Sequence, residues 1–422
     1  MKLERILKFA STCVAVWLGA VACSNADEQR PNTGDGGATG TAQRSVEVFS
    51  WWIAPGEAEA FQSLVDLNKQ LHPQTRVFNA ALDSGDNARA ELARRLDAND
   101  PPDLFQQNAH DIAAFLTRRP GTLQPLDDLL AATGLDTAIQ ADVLKDVTFG
   151  GHVYGLPVNI HRENALFYNK QLFKEAGIAV PTSTPELLAA CETFKAAGVT
   201  PIATAHQGWI LRILFNSLAM GYMGSNAFNA FMSGGERDDV ALRGAIDLFD
   251  DVLTKYVNDD AEEADFGWTD AAELVANGEA AMFFHGDWAK GFYGQLGWTA
   301  GVDFGVVGAP GASDMFWYGV DVFSLPTGAQ NAPSAQEFLT TIGSVQGQLA
   351  FNRIKGSTPV RLDVPKAQLD IEGRATLDDF ANATYRTFVV SLDAWDAAML
   401  AFAEDHDKDA LFQAYVDHPP QH

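Results

Sequence analysis

Between residues 46 and 108 the apolar pattern changes period four times. That alternation constrains the fold more than any other feature of the chain. Val46–Phe49 reads as a short strand. Phe61, Leu64, Leu67 and Leu71 then recur at helical spacing, and His72-Pro73 ends the run. A second strand is expected over Arg76–Ala81. The turn from Asp83 to Asn87 carries helix-capping residues, "ARAELARRL" continues as a helix, and "LFQQN" follows Pro101-Pro102-Asp103 as a third strand. Strand, helix, strand, helix, strand predicts an α/β fold with a mainly parallel, doubly wound sheet. In such a sheet ligands bind beyond the carboxyl ends of the strands. Here those ends carry Trp51-Trp52, Asp83 to Asn87, and Gln106 to Asn108. Adjacent residues of a strand face opposite ways, so one of the two tryptophans must look away from the core.

At 422 residues the chain is too long for one ordinary compact domain, so two domains or two lobes are expected. The polar centre Asn159-Ile160-His161-Arg162 interrupts an apolar run and leads into a strand over Leu166–Tyr168, as a segment passing between lobes would. Helices dominate residues 185–278. One of them is capped at Ser183 with Glu186 at capping-box spacing, and its Cys191 reads as a small core residue rather than a nucleophile. Asp270 and Glu273 cap another helix, which Gly278 ends. A strand over Ala280–Phe284 places Asp287-Trp288 at its carboxyl end, Asp321 falls inside a strand, and Lys355 and Arg361 flank a loop.

The net charge of −26 removes the basic stripe that phosphate binding needs, so nucleic acid is not an expected partner. It also disfavours electrostatic docking on anionic lipid and, mildly, anionic ligands. The nine histidines show no H-E-x-x-H spacing, and no G-x-S-x-G or G-x-x-x-x-G-K-[ST] occurs. No metal, no cofactor and no enzymatic activity are therefore expected. Among 55 acidic residues some glycosidase-like carboxylate pair always exists, so that pattern has almost no specificity.

Lys2, Arg5 and Lys8, followed by the apolar stretch Phe9 to Val21, read as a secretion signal, too short for a membrane span. Ala20-Val21-Ala22-Cys23 resembles the bacterial lipobox, with Ala20 where that motif usually has Leu; the resemblance implies a lipid on Cys23. Plain signal-peptidase cleavage after Ala22 is the alternative. Residues 24–44 are polar and rich in Gly and Thr, a flexible leash.

Seven stretches, in order, carry a wider resemblance: "EVFSWW", "SGDNARAEL", "DPPDLFQQN", "LPVNIHREN", "NGEAAMFFHGDWA", "GVDVFSLPTGAQN" and "FNRIKGSTPVRLD". Together they resemble the family 1 extracellular solute-binding proteins of ABC importers, within them the glucose/mannose-binding branch. The resemblance implies a two-lobed periplasmic-binding-protein type II fold with a ligand cleft between lobes. Three hinge crossings are implied, near 159–162, 317–321 and 354–358. The implied organisation is 1–22 signal, 23–44 anchor and linker, 45–160 and 320–355 first lobe, 161–319 and 356–422 second lobe. It also implies a monomer in the periplasm or cell envelope, anchored by lipid only, that delivers a monosaccharide such as glucose, mannose or galactose to permease subunits. A secreted carbohydrate-active hydrolase and a sugar receptor for chemosensing are the competing readings.

A pyranose has apolar C–H faces and a rim of hydroxyls. Aromatic rings suit the faces, and charged or amide side chains suit the rim. Trp51, Trp52, Trp209 and Trp288 are the stacking candidates, each with core packing as its alternative role. For the rim the resemblance points to Asp86, Asn87, Gln106, Asn108, Asn159, His161, Arg162, Asp287, Asp321 and Lys355. Asn108 stands where the branch is expected to have His. A charge inside an apolar strand, as at Asp321, needs a partner or a ligand; an Asp321–Lys355 ion pair bracing the hinge is the alternative.

Overall fold

The computed structural model describes residues 44–82, 85–263, 265–389 and 393–420, with the side chain of Asp86 left aside. The signal, Cys23 and the leash lie outside the described residues.

Two sheets organise two lobes. The first runs in the order β2 (Thr75–Asn79), β1 (Arg44–Phe49), β3 (Leu104–Asn108), β13 (Asp321–Ser324), β6 (Leu156–Pro157). β1 pairs in parallel with β2 and β3, as the alternation of period requires. β13 runs antiparallel to both its neighbours, β3 and β6, so the sheet is mixed, with four of its five strands running the same way. Helix Glu57–Leu71 lies against helices Ala332–Gly343 and Val345–Lys355 beside this sheet. The core they close contains Val46, Leu64, Leu104, Val322, Phe338 and Phe351.

The second sheet has the order β11 (Phe304–Gly308), β8 (Ala165–Asn169), β10 (Ala280–His285), β9 (Thr200–Ala203). It is buried on both faces, which explains the unbroken apolar run of β10. Met282 and Phe284 face one core with Leu166, Ile202, Leu214 and Trp395; Phe283 faces another with Phe167, Phe292 and Phe304. Cys191 is fully buried in the former, and burial pushes its thiol up to about 12. Ser183 caps its helix at Glu186 N–H, while the Glu186 carboxylate accepts from Thr182. Asp270 accepts from the Gly267 N–H at 2.7 Å, but Glu273 lies inside the helix Trp268–Ala276 and caps nothing.

A third sheet, β14 (Tyr385–Phe388), β12 (Met315–Gly319), β7 (His161–Arg162), and the hairpin β4 (Thr148–Phe149)–β5 (His152–Val153) complete the strands. Residues 156–169 pass from the first sheet through the third into the second. Residues 315–324 link the third sheet to the first. β7 pairs with β12 at Gly319↔His161, and Ile160 and Thr358 exchange backbone hydrogen bonds at 2.8 and 3.0 Å. Three segments of the chain thus lie side by side between the two large sheets. Residues 360–362 continue along residues 138–140 of the first half, and Trp395 and Phe402 join the core of the second.

Beside these crossings the backbones touch. Gly56 and Gly356 have φ of 88° and 93°, a region that disfavours side chains. A Cβ on Gly56 would stand 2.5 Å from the Gly291 carbonyl carbon, and one on Gly356 2.7 Å from the Asp287 oxygen. Gly356→Ala is therefore expected to cost about 1–3 kcal/mol. Calorimetry checks this, and an unchanged Tm would show that the contact relaxes freely.

Candidate functional site

The crossing strands carry a cluster of buried charge. His161, Asp287, Asp321 and Lys355 are all at most 5% exposed. His161 Nδ1 is 2.5 Å from Asp287 Oδ1, and its Nε2 is 3.0 Å from Asp321 Oδ2. Burial alone would strip the imidazole of its proton. The charge and hydrogen bond of Asp287, reinforced by Asp321, outweigh it and raise His161 from 6.5 to about 9. Burial likewise opposes ionisation of Asp321, yet His161, Lys355 and Asn159 bring its carboxyl from 3.8 down to about 2. An imidazolium thus sits between two carboxylates.

Each carboxylate is fixed in turn. Asp321 opens β13, and its backbone N–H donates to Asn159 Oδ1 at 3.0 Å. Its Oδ1 accepts from Gln106 Nε2 at 3.0 Å and its Oδ2 from Asn159 Nδ2 at 3.0 Å. Asn108, with its amide oriented to satisfy both neighbours, donates to Asp321 at 3.1 Å and accepts from Arg89 at 3.1 Å. Asp287 follows β10 and is locked to β7. Its N–H donates to the Arg162 carbonyl and its Oδ2 accepts from the Arg162 N–H, both at 2.9 Å. Asp287 and Asp321 therefore hold His161 from the second and the first sheet respectively.

The expected Asp321–Lys355 ion pair does not form. Lys355 donates to Glu57 instead, at the start of the helix Glu57–Leu71. The reason is reach: Lys355 ends its own helix against that one, and its Nζ lies over two rings, 5.5 Å from Trp52 and 5.8 Å from Trp288. Lys355 still lowers the Asp321 carboxyl through its charge alone.

Aromatic rings form a wall beside this cluster. Trp288 meets His161 edge-on at 5.0 Å and lies 6.1 Å from Trp209. A side chain on Gly286 would clash with the Trp288 ring at 1.8 Å, so glycine there is what lets the indole fold back. Behind both rings His285 packs against Trp209, Trp268 and Trp288 at 4.9–5.3 Å. Burial lowers His285 to about 3, and its Nε2 has no partner among the described residues.

The tryptophan pair divides. Trp52 is 1% exposed and packs on Phe61, Phe323 and Phe351, in the core. Trp51 is half-buried under the Arg89 guanidinium, 5.0 Å from its ring. Arg89 in turn reaches Asn108. Trp51 thus sits on the rim of the polar cluster, and Trp52 beneath it.

Of the residues singled out in the sequence, Gln106, Asn108, Asn159, His161, Asp287, Asp321, Lys355 and Trp288 converge here, with Trp209 and Trp51 at the edges. Arg162 does not. Its side chain alternates to the far face of β7 from His161, pairs with Asp379 at 2.6 Å and lies over Phe316. Asn87 is exposed on the helix Gly85–Asp97. Asp86 falls outside the described side chains.

Five neighbours escaped the sequence reading: Glu57, Arg89, His110, Glu163 and Arg212. Arg212 had a usable signal, a lone charge in the apolar "WILRILF", the same signal that singled out Asp321. Glu57 looked like an ordinary acidic residue in a helix's first turn.

Comparison with known proteins bears on this arrangement. The family model described as "bacterial extracellular solute-binding protein" matches residues 52–349. A protein of Pyrococcus horikoshii described as an ABC transporter extracellular-binding protein is 33% identical over 78% of this chain and 74% of its own length. A probable sugar-binding periplasmic protein of Brucella suis is 30% identical over 90% of this chain and 87% of its own. Among solved structures, the bacterial solute receptor AcbH, described as preferring β-D-galactopyranose, superposes with a TM-score of 0.76 at 19% identity. That superposition covers 88% of this chain and 96% of the receptor. It establishes the two-lobed fold.

Two outcomes follow from this geometry. Trp52→Ala is expected to cost about 3–5 kcal/mol in urea unfolding, the scale for emptying a core indole, and Trp51→Ala only about 1 kcal/mol. Equal losses at the two positions would refute the division.

The second concerns pH. A His161 raised from 6.5 to about 9 contributes stability that is fully present below pH 6.5 and lost as pH rises through about 9. The depressed Asp321 contributes stability present above pH 3.8 and lost as pH falls through about 2. The Tm gap between wild type and His161→Gln should be widest between about pH 4 and 6.5 and close above pH 9. A gap independent of pH would sink the imidazolium assignment.

Proposed function

Since the chain belongs to the bacterial extracellular solute-binding protein family, we propose that it is the sugar-capturing subunit of an ABC importer, closing two lobes on a monosaccharide and delivering it to a membrane permease. The observation that carries the reading is the convergence of charged and amide side chains from both lobes on His161, beside the Trp288–Trp209 wall. Fixed polar groups suit a rim of hydroxyls, and an adjacent ring suits the C–H face of a pyranose. Sugar-binding descriptions among the relatives support the same class. Glucose, mannose and galactose are the ligands proposed.

Closure follows the usual thermodynamic rule: the sugar shifts the lobes only by binding the closed arrangement better than the open one. Residues 159–162, 317–321 and 354–358 are the proposed hinge, consistent with the strand pairings that bring them together. We further propose that Cys23 carries a lipid anchor, residues 24–44 serve as its leash, and the protein works as a monomer at the cell envelope.

Titration calorimetry of the purified protein against D-glucose, D-mannose, D-galactose and maltose tests the reading. At least one monosaccharide should bind, and Trp288→Ala should weaken it by at least about 1 kcal/mol. Absence of binding to every sugar, or release of reducing ends from maltose, would overturn it. The mass of the N-terminus of protein extracted from membranes reads the anchor.

A further inference from the structure

The cleft has a second polar pole, apart from the His161 cluster. Trp209 and Arg212 stand three residues apart on the helix Gly208–Met223 and so share a face. Trp209 lies 6.1 Å from Trp288, which turns that face toward the aromatic wall. Among the described residues Arg212 is held by one bond, Nε to Asp396 Oδ1 at 2.5 Å. Its Nη1 is buried and has no partner among the described residues. Across from it, His110 follows the β3 end that carries Gln106 and Asn108. His110 Nδ1 and Gln106 Oε1 are likewise buried without partners among the described residues. Glu163, two residues beyond His161, lies within electrostatic range of Arg212. Its carboxylate stands 2.9 Å from where a Cβ would sit on Gly319, the residue paired with His161.

Unsatisfied buried donors and acceptors are costly, and the unpartnered Arg212 Nη1 and His110 Nδ1 lie within electrostatic range of each other. Electrostatics ties them together. Burial lowers His110, and the Arg89 and Arg212 charges add to it against Asp111. Burial lifts the Glu163 carboxyl to about 7, and Arg212 is the strongest influence opposing that rise.

We propose that Arg212, His110 and Glu163 form a specificity pole that takes adjacent hydroxyls of a neutral pyranose and rejects a carboxylate in their place. The inference rests on the sugar-binding reading above. A hydroxyl accepts from the Arg212 Nη1 and donates to Glu163 or to His110, which an anion does not do. A carboxylate entering here would meet Asp396, already paired with the guanidinium, and the ionised fraction of Glu163. An uronic acid is therefore the wrong ligand and the parent hexose the right one.

Calorimetry with wild type, Arg212→Gln and Arg212→Lys decides it, using D-glucose, D-galactose, D-mannose, D-xylose and D-glucuronate, then the monodeoxy forms of the tightest sugar. Wild type should bind the hexose at least about tenfold more tightly than D-glucuronate. Arg212→Gln should lose about tenfold or more, the scale of a hydrogen bond to a charged group. One monodeoxy sugar should lose affinity for wild type and lose nothing further in Arg212→Gln, a coupling that a merely structural role would not produce. Arg212→Lys keeps a cation beside Asp396 and guards against a misfolded variant; it too should bind weakly. Folded variants with wild-type affinity for the whole panel, or tighter binding of D-glucuronate than of D-glucose, would overturn the pole while leaving the sugar reading intact. A wild type that binds no sugar would instead remove that reading, and the pole with it.

Discussion

A charged imidazole between two carboxylates is the interaction on which the rest of this molecule turns. Burying any one of those three charges by itself would cost several kcal/mol. Together, with Asn159, Gln106 and the Arg162 N–H filling the remaining acceptor positions, they form a network in which each charge faces an opposite charge. Partial satisfaction would be worse than an apolar core. That condition fixes the positions of β7, β10 and β13 relative to one another, because each contributes a member or its immediate neighbour. The glycine contacts among Gly56, Gly291 and Gly356 serve the same end, since the network closes only if backbones approach without side chains between them.

The aromatic residues extend this network rather than merely lining it. Lys355 lies over both Trp52 and Trp288, and Trp288 meets His161 edge-on. A continuous series of ring, ammonium, ring and imidazolium therefore runs from the core of the first lobe to the strands between the lobes. The Trp51–Trp52 adjacency is resolved by this series. Trp52 belongs to the core and supports Lys355 from below, while Trp51 is free of that duty and stands on the rim with Arg89.

Much of the first lobe was legible in the sequence because its signals are local. The periods of residues 46–108 predict three strands and two helices, and the structure has them within a few residues. The reversed strand β13 and the edge strand β6 were not legible as members of that sheet. Their pairing spans some 200 residues of chain, and no local pattern encodes it. At the site the rule that a charge in a strand needs a partner pointed correctly at Asp321 but chose the wrong partner. Residue type says that a cation must be near; only geometry says that His161 reaches and Lys355 does not. Arg162 failed for the opposite reason: neighbouring strand residues face opposite ways, so His161 in the cleft requires Arg162 outside it.

The same connectivity bears on how the proposed hinge would move. Asp287 exchanges backbone and side-chain bonds with Arg162, one residue from His161, so Asp287, His161 and β7 form one mechanical unit. Asp321 is bound just as firmly to Gln106 and Asn159 in the first lobe. A rotation between the lobes would therefore fall on the contacts that cross between them, among them His161 with Asp321, Lys355 with Trp288, and the backbone approaches of Gly56 to Gly291 and Gly356 to Asp287. The first two of these join a cation to its neighbour. A ligand bearing its own charge would upset a balance that is already complete, which is the electrostatic ground for proposing a neutral sugar.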